Sequence, residues 1–126
     1  MKIKTSSLSG TPLDWAVAQC EGKPQTLMNF RDGKGYRVQF GIPLICYSPS
    51  TDWSQGGPII EREKVEVKQP RPCVTSEPYR AFIPTWPVGG LLETYQHYGK
   101  TYLEASMRCY VASKLGDEVE IPEELL

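Results

Sequence analysis

Tyr47-Ser48-Pro49-Ser50-Thr51-Asp52-Trp53-Ser54-Gln55-Gly56-Gly57-Pro58-Ile59-Ile60-Glu61-Arg62 is the stretch on which the reading of this chain turns. Hydroxyls, a carboxylate, an indole, an amide and two adjacent glycines stand together in it. Glycines let backbone N–H groups approach a ligand, and an indole offers a flat apolar face with one polar handle. The stretch therefore reads as a binding loop, with Ile59 and Ile60 opening an extended segment beyond it. Tyr47, Thr51, Trp53, Ser54, Gln55, Gly56 and Gly57 are its candidate ligand-binding residues. A plainer reading has Trp53 plugging a core and Gly56-Gly57 making a tight turn. Against that reading, Ser50, Thr51, Ser54 and Gln55 supply more hydrogen-bonding groups than a simple turn needs.

Downstream, Glu61, Glu63 and Glu66 alternate with Arg62, Lys64, Val65 and Val67, the mixed charge of a solvated strand face. Pro70, Pro72 and Pro78 cannot donate to a sheet ladder and mark a connection. A short strand is expected from Tyr79 to Ile83, ending at Pro84. Trp86-Pro87 and Gly89-Gly90 are irregular, and Leu91 to Tyr98 suits either a helical turn or a loop. Thr101 and Glu104 then form a capping box, and Leu103, Met107, Tyr110, Val111 and Leu115 share one face of a helix from Tyr102 to Leu115, stopped by Gly116. Glu104 and Arg108 stand one turn apart on another side of it. The acidic tail from Asp117 to Leu126 is expected to pack only in part.

Upstream, Tyr36 to Tyr47 is aromatic and β-branched around Gly41 and Pro43, giving one broken strand or two short ones, and Asp32-Gly33 suggests a tight turn before it. A first helix is expected from Pro12 to Glu21, with Thr11 as N-cap, Asp14 completing a capping box and Gly22 as the stop. Leu13, Ala16, Val17 and Cys20 make its buried face. Trp15 falls off that stripe and either covers a neighbouring loop or lines the pocket. Met1 to Thr5 suits a short edge strand carrying protective lysines. The elements add up to a single α+β domain over residues 1–126, two main helices packed on a small, mostly antiparallel sheet, with long ordered loops forming a cleft at one end.

Composition narrows the function. At 126 residues one core is expected, and 11 prolines with 11 glycines favour short elements over a helical bundle. A net charge of -1 gives no general attraction to polyanions, so duplex nucleic acid is not an expected partner. No apolar run approaches the roughly twenty residues that span a bilayer, and Met1 to Thr5 lacks the apolar segment of a secretory signal, so a cytoplasmic protein is expected. Cys20, Cys46, Cys73 and Cys109 are far apart and His97 is the lone imidazole, which is not zinc spacing. Reduced, structural thiols are the expectation. His97 has no neighbouring nucleophile, and Glu61, Glu63 and Glu104 lack metal-ligand spacing. No catalytic residue, metal or cofactor is therefore expected; a nucleotide hydrolase, with His97 meeting a cysteine in space or Glu61, Glu63 and Glu104 holding a divalent ion, is the weakest of the alternatives.

Leu13-Asp14-Trp15-Ala16-Val17-Ala18, the Tyr47 to Glu63 stretch, and Met107-Arg108-Cys109-Tyr110-Val111-Ala112-Ser113-Lys114-Leu115-Gly116-Asp117-Glu118-Val119 together resemble the NinX-like family of lambdoid phages and prophages. The resemblance implies an accessory phage protein made in the bacterial host cell, and it brings no activity with it. Many relatives carry Gly-x-Thr-Pro-Leu leading into the last helix. Here Gly99-Lys100-Thr101-Tyr102-Leu103 keeps the cap and adds a ring at the pocket rim.

The leading expectation is a small anionic, nucleotide-like ligand. A base or ribose stacks on Trp53 or Tyr47, backbone N–H groups at Gly56-Gly57 or the start of the last helix suit a phosphate, and Thr101 and Arg108 complete the set. In a phage context such a ligand suggests a signalling nucleotide of bacterial immunity, held in sequestration. The alternative is a protein that binds a host or phage protein through the aromatic stretch containing Phe82, Trp86, Tyr95 and Tyr98. The sequence leaves self-association open.

Overall fold

Leu13, Ala16 and Val17 recur at helical spacing, and all three are fully buried on the helix they build, α1 (Gly10–Glu21). The structure, a computed structural model, describes residues 2–22, 25–29, 36–40, 45–71, 77–85 and 93–123. α1 starts two residues before the expected Pro12. Ser9, not Thr11, is its N-cap, and Ser9 makes no side-chain capping bond. Gly22 closes it with φ of 69°, a conformation that glycine adopts without a Cβ penalty.

Before α1 come β1 (Lys2–Lys4) and a single 3-10 turn (Thr5–Ser7). After it, β2 (Gln25–Asn29), β3 (Tyr36–Phe40) and β4 (Ile45–Cys46) form an antiparallel sheet, two short strands standing where one broken strand was the other option. The Asp32-Gly33 turn lies outside the described residues.

The largest departure from expectation follows. Instead of a loop running into a strand, the chain makes α2 (Trp53–Glu63), so that Gly56, Gly57, Ile59 and Ile60 are all helical. Lys64 ends it at φ 56° and ψ 43°, and the expected strand shrinks to β5 (Glu66–Lys68). β6 (Tyr79–Thr85) and β7 (Glu93–Gly99) complete a second three-stranded antiparallel sheet. β6 continues through Pro84, paired with Thr94, and the helical-turn-or-loop segment is the strand β7. Trp86, Pro87, Gly89 and Gly90 lie outside the described residues.

α3 (Tyr102–Leu115) has the expected bounds, and the Thr101 side chain accepts a hydrogen bond from the Glu104 N–H as the capping box requires. β8 (Glu118–Glu120) then pairs antiparallel with β1, Ile3 opposite Val119. The fold class is α+β as expected. Among the described residues three helices and three small antiparallel sheets replace two helices on one sheet.

α3 is the centre of the molecule. Met107, Tyr110 and Val111 meet Leu13, Ala16 and Val17 of α1, together with Leu8, Tyr47, Ile59, Val119 and Ile121. On its other side Ala105 and Cys109 meet Val65 and Ala81 of the β5–β6–β7 sheet. Each fully buried Leu, Val or Met here contributes about 1.5–3 kcal/mol. Gly99 makes the sheet contact close: a Cβ there would lie 2.5 Å from the Ala105 nitrogen. Trp15 is half-buried against the α1–α3 core.

Candidate functional site

The turn that leads into α2 is built by its own polar groups. Ser48 O accepts from Thr51 N–H at 3.0 Å and Asp52 N–H at 2.9 Å, while Ser48 N–H donates to Gln55 Oε1 at 2.7 Å. Asp52 then caps the helix, its Oδ1 accepting from Ser54 N–H at 2.9 Å and Ser54 Oγ at 2.6 Å. Ser50 N–H reaches across to Asp14 Oδ1 at 2.9 Å and ties the turn to α1. Burial pushes the Asp14 carboxyl up to about 6 against the opposing pull of the Ser50 N–H.

Of the paired glycines Gly56 has a packing duty, whereas a Cβ on Gly57 would meet only Trp53 Cε3, at 3.9 Å. A Cβ on Gly56 would come within 2.5 Å of Pro49 O and 2.8 Å of Leu103 Cδ2, so only glycine lets α2 start against the turn and α3. Its N–H donates to Asp52 O at 2.9 Å. Neither glycine stands in an open loop.

A hollow of about 270 Å³ lies where the helices begin, lined by Gly10, Ser50, Thr51, Trp53, Thr101, Tyr102, Leu103 and Glu104. Gly10, Trp53 and Tyr102 are the first residues of α1, α2 and α3. Trp53 is 55% exposed, and its ring packs tilted on Tyr102 with centroids 5.1 Å apart. Tyr79 adds an edge to Tyr102 at 6.3 Å.

Of the residues nominated from sequence, Thr51, Trp53 and Thr101 come together on this wall. Tyr47 is buried in the core, while Ser54, Gln55, Gly56 and Gly57 serve the cap, the turn and the helix. Arg108 is elsewhere and fully engaged: Nε donates to Leu8 O at 2.6 Å, Nη1 to Tyr98 O at 2.7 Å, and Nη2 pairs with Glu104 at 2.7 Å. It holds the start of α1, the end of β7 and α3 together. Tyr102, Leu103 and Gly10 were not nominated. The signal for Tyr102 was its ring in place of the usual proline after the capping threonine; Gly10 gave none.

A family model described as Bacteriophage P22, NinX, matches residues 4–114, which takes in α1, α2, all of β2 to β7 and α3 up to its last residue. The chain belongs to the NinX family. No curated protein matches it. In this NinX protein the three sequence blocks that carry the resemblance converge in space. Asp14 of the first holds Ser50 of the second, and Arg62 of the second donates to Glu21 at 3.0 Å and to Tyr110 of the third at 3.1 Å.

Among the described residues the remaining reactive groups of the chain are separated or shielded. Burial pushes the Cys20 and Cys109 thiols up to about 12 and lowers the half-buried His97 below its ordinary value. Glu63 lies 3.5 Å from Arg62 and 3.6 Å from Lys114, and Glu104 pairs with Arg108. Among the described residues no three His, Cys, Asp or Glu side chains stand together as a metal site requires, and no helix is long and apolar enough to cross a membrane.

Proposed function

We propose that this phage accessory protein binds a small anionic, nucleotide-like molecule in the hollow between Trp53 and Thr101, and holds it without turning it over. The observation that carries the reading is the convergence of three helix starts on one wall. The N-terminal end of a helix bears roughly half a positive charge, and three of them favour an anion without any charged side chain. α2 and α3 spend part of that capacity on Asp52 and Thr101, whereas α1 has no side-chain cap.

A base would lie against the exposed indole and the Tyr102 ring, and the Thr51 and Thr101 hydroxyls would meet ribose or phosphate oxygens. Glu104 is the one carboxylate on the wall, and its pairing with Arg108 offsets its repulsion of an anion. Retention without chemistry suits a protein that sequesters a signalling nucleotide of bacterial immunity.

The test is a thermal-shift panel of mono-, di- and cyclic nucleotides. A ligand present at about a hundredfold its Kd adds about 2.7 kcal/mol to the folded state and raises Tm by several degrees. The shift should vanish in Trp53→Ala and weaken in Thr101→Val. If no nucleotide moves Tm at millimolar concentration, the reading fails.

A further inference from the structure

The β5–β6–β7 sheet is covered by α3 on one face, through Val67, Ala81 and Ile83. Side chains alternate along a strand, so Lys68, Arg80 and Phe82 stand on the opposite face. The register sets Lys68 opposite Arg80 and Arg80 opposite Tyr98, one row across three strands. Phe82 and Gln96 follow in the next row but one along the same face.

This row borders a second hollow of about 410 Å³, lined by Lys68, Gln69, Arg71, Glu77, Pro78, Arg80 and Tyr98, sharing no residue with the first. Arg71 is paired with Glu77 at 3.2 Å. Lys68 has no ion-pair or hydrogen-bond partner among the described residues, and Arg80 makes no direct ion pair or hydrogen bond there, although, after the hydrogen bonds from Arg71, its charge helps to lower the Glu77 carboxyl across the hollow. Tyr98 is 51% exposed, one of the most exposed large rings described. Basic residues scattered along the sequence of a chain with net charge -1 are thus gathered at one place by strand register.

We infer that this face binds single-stranded nucleic acid, a run of two or three nucleotides with phosphates on Lys68 and Arg80 and a base stacked on Tyr98. Two cations beside an exposed ring reproduce, on a sheet, the alternation of charge and base along a single strand. A duplex keeps its bases stacked inside and would leave the ring unused. An acidic peptide would use the cations and ignore the ring. Glu66 on the same face opposes binding, so the affinity should be micromolar.

Fluorescence anisotropy with a labelled oligothymidylate of about ten nucleotides tests the inference. Binding is expected at ~20 mM salt, with a logarithmic salt slope of about -1.5 to -2 for two or three phosphates. The pair Lys68→Glu and Arg80→Glu should weaken it at least ~10-fold and flatten the slope. Tyr98→Ala should weaken it by ~5-fold or more and leave the slope unchanged. Trp53→Ala, which removes the other hollow's ring, should bind the oligonucleotide as the parent does, so failure of the nucleotide reading and failure of this one are separable. The inference is overturned by no anisotropy change at ~100 µM protein, by binding indifferent to the charge reversals or to Tyr98→Ala, or by equal competition from thymidine monophosphate or a polyglutamate peptide at matched monomer concentration. Circular dichroism of each variant confirms that substituting the exposed Lys68, Tyr98 and Trp53 and the half-buried Arg80 leaves the fold in place.

Discussion

Asp14 is a carboxylate that the fold would rather hold protonated. Its ordinary value is 3.8 and burial moves it to about 6. The folded state therefore binds its proton more tightly than the unfolded chain does. The resulting stabilisation is fully present below about 3.8 and is lost as pH rises through about 6. Asp14→Asn keeps an acceptor for Ser50 N–H and removes the charge. Its stability relative to the parent should thus climb between pH 4 and 7, by about 1–3 kcal/mol, in urea titrations across that range. Arg108 makes the opposite case. Three contacts bind its guanidinium to two carbonyls and one carboxylate, with the side chain only 14% exposed. Arg108→Ala should cost about 2–4 kcal/mol, and Arg108→Lys should recover little of it because an ammonium cannot serve three fixed directions.

At the level of elements, α2 carries two backbone features that can be altered separately. Lys64 stands in the left-handed region, a conformation that costs a non-glycine residue about 1 kcal/mol. Lys64→Gly should raise Tm by about 1–3 °C in calorimetry. Gly56→Ala should do the reverse, separating α2 from Pro49 and Leu103 at a cost of about 2–4 kcal/mol. These two positions also explain what the sequence disclosed and what it hid. α3 was legible to the residue because Thr101, Glu104 and Gly116 mark both ends and an apolar face runs between them. α2 was hidden by Gly56, Gly57 and Pro58, which are helix breakers by intrinsic preference and are tolerated here because Asp52 caps the helix and Ile59 is buried beneath it. β7 was hidden too: Glu93–Gly99 has no strand pattern of its own and takes its form from pairing with β6. For the hollow, Thr51, Trp53 and Thr101 could be read from chemistry, whereas Gly10 depends on where α1 begins in space.

For the whole molecule, α3 acts as a spine with the α1 core on one side and a sheet on the other, and the two hollows share no lining residue. The ribbon formed by β1 and β8 closes the structure, with Lys2 directly across from Glu120 and Lys4 across from Glu118. Because the strands run antiparallel, a force applied through both chain ends enters the ribbon from the same end. Its rungs would part singly, as in a zip, and rupture in an optical trap should begin at low force with the release of this ribbon. The helical spine would then lose the cover that Val119 and Ile121 give it.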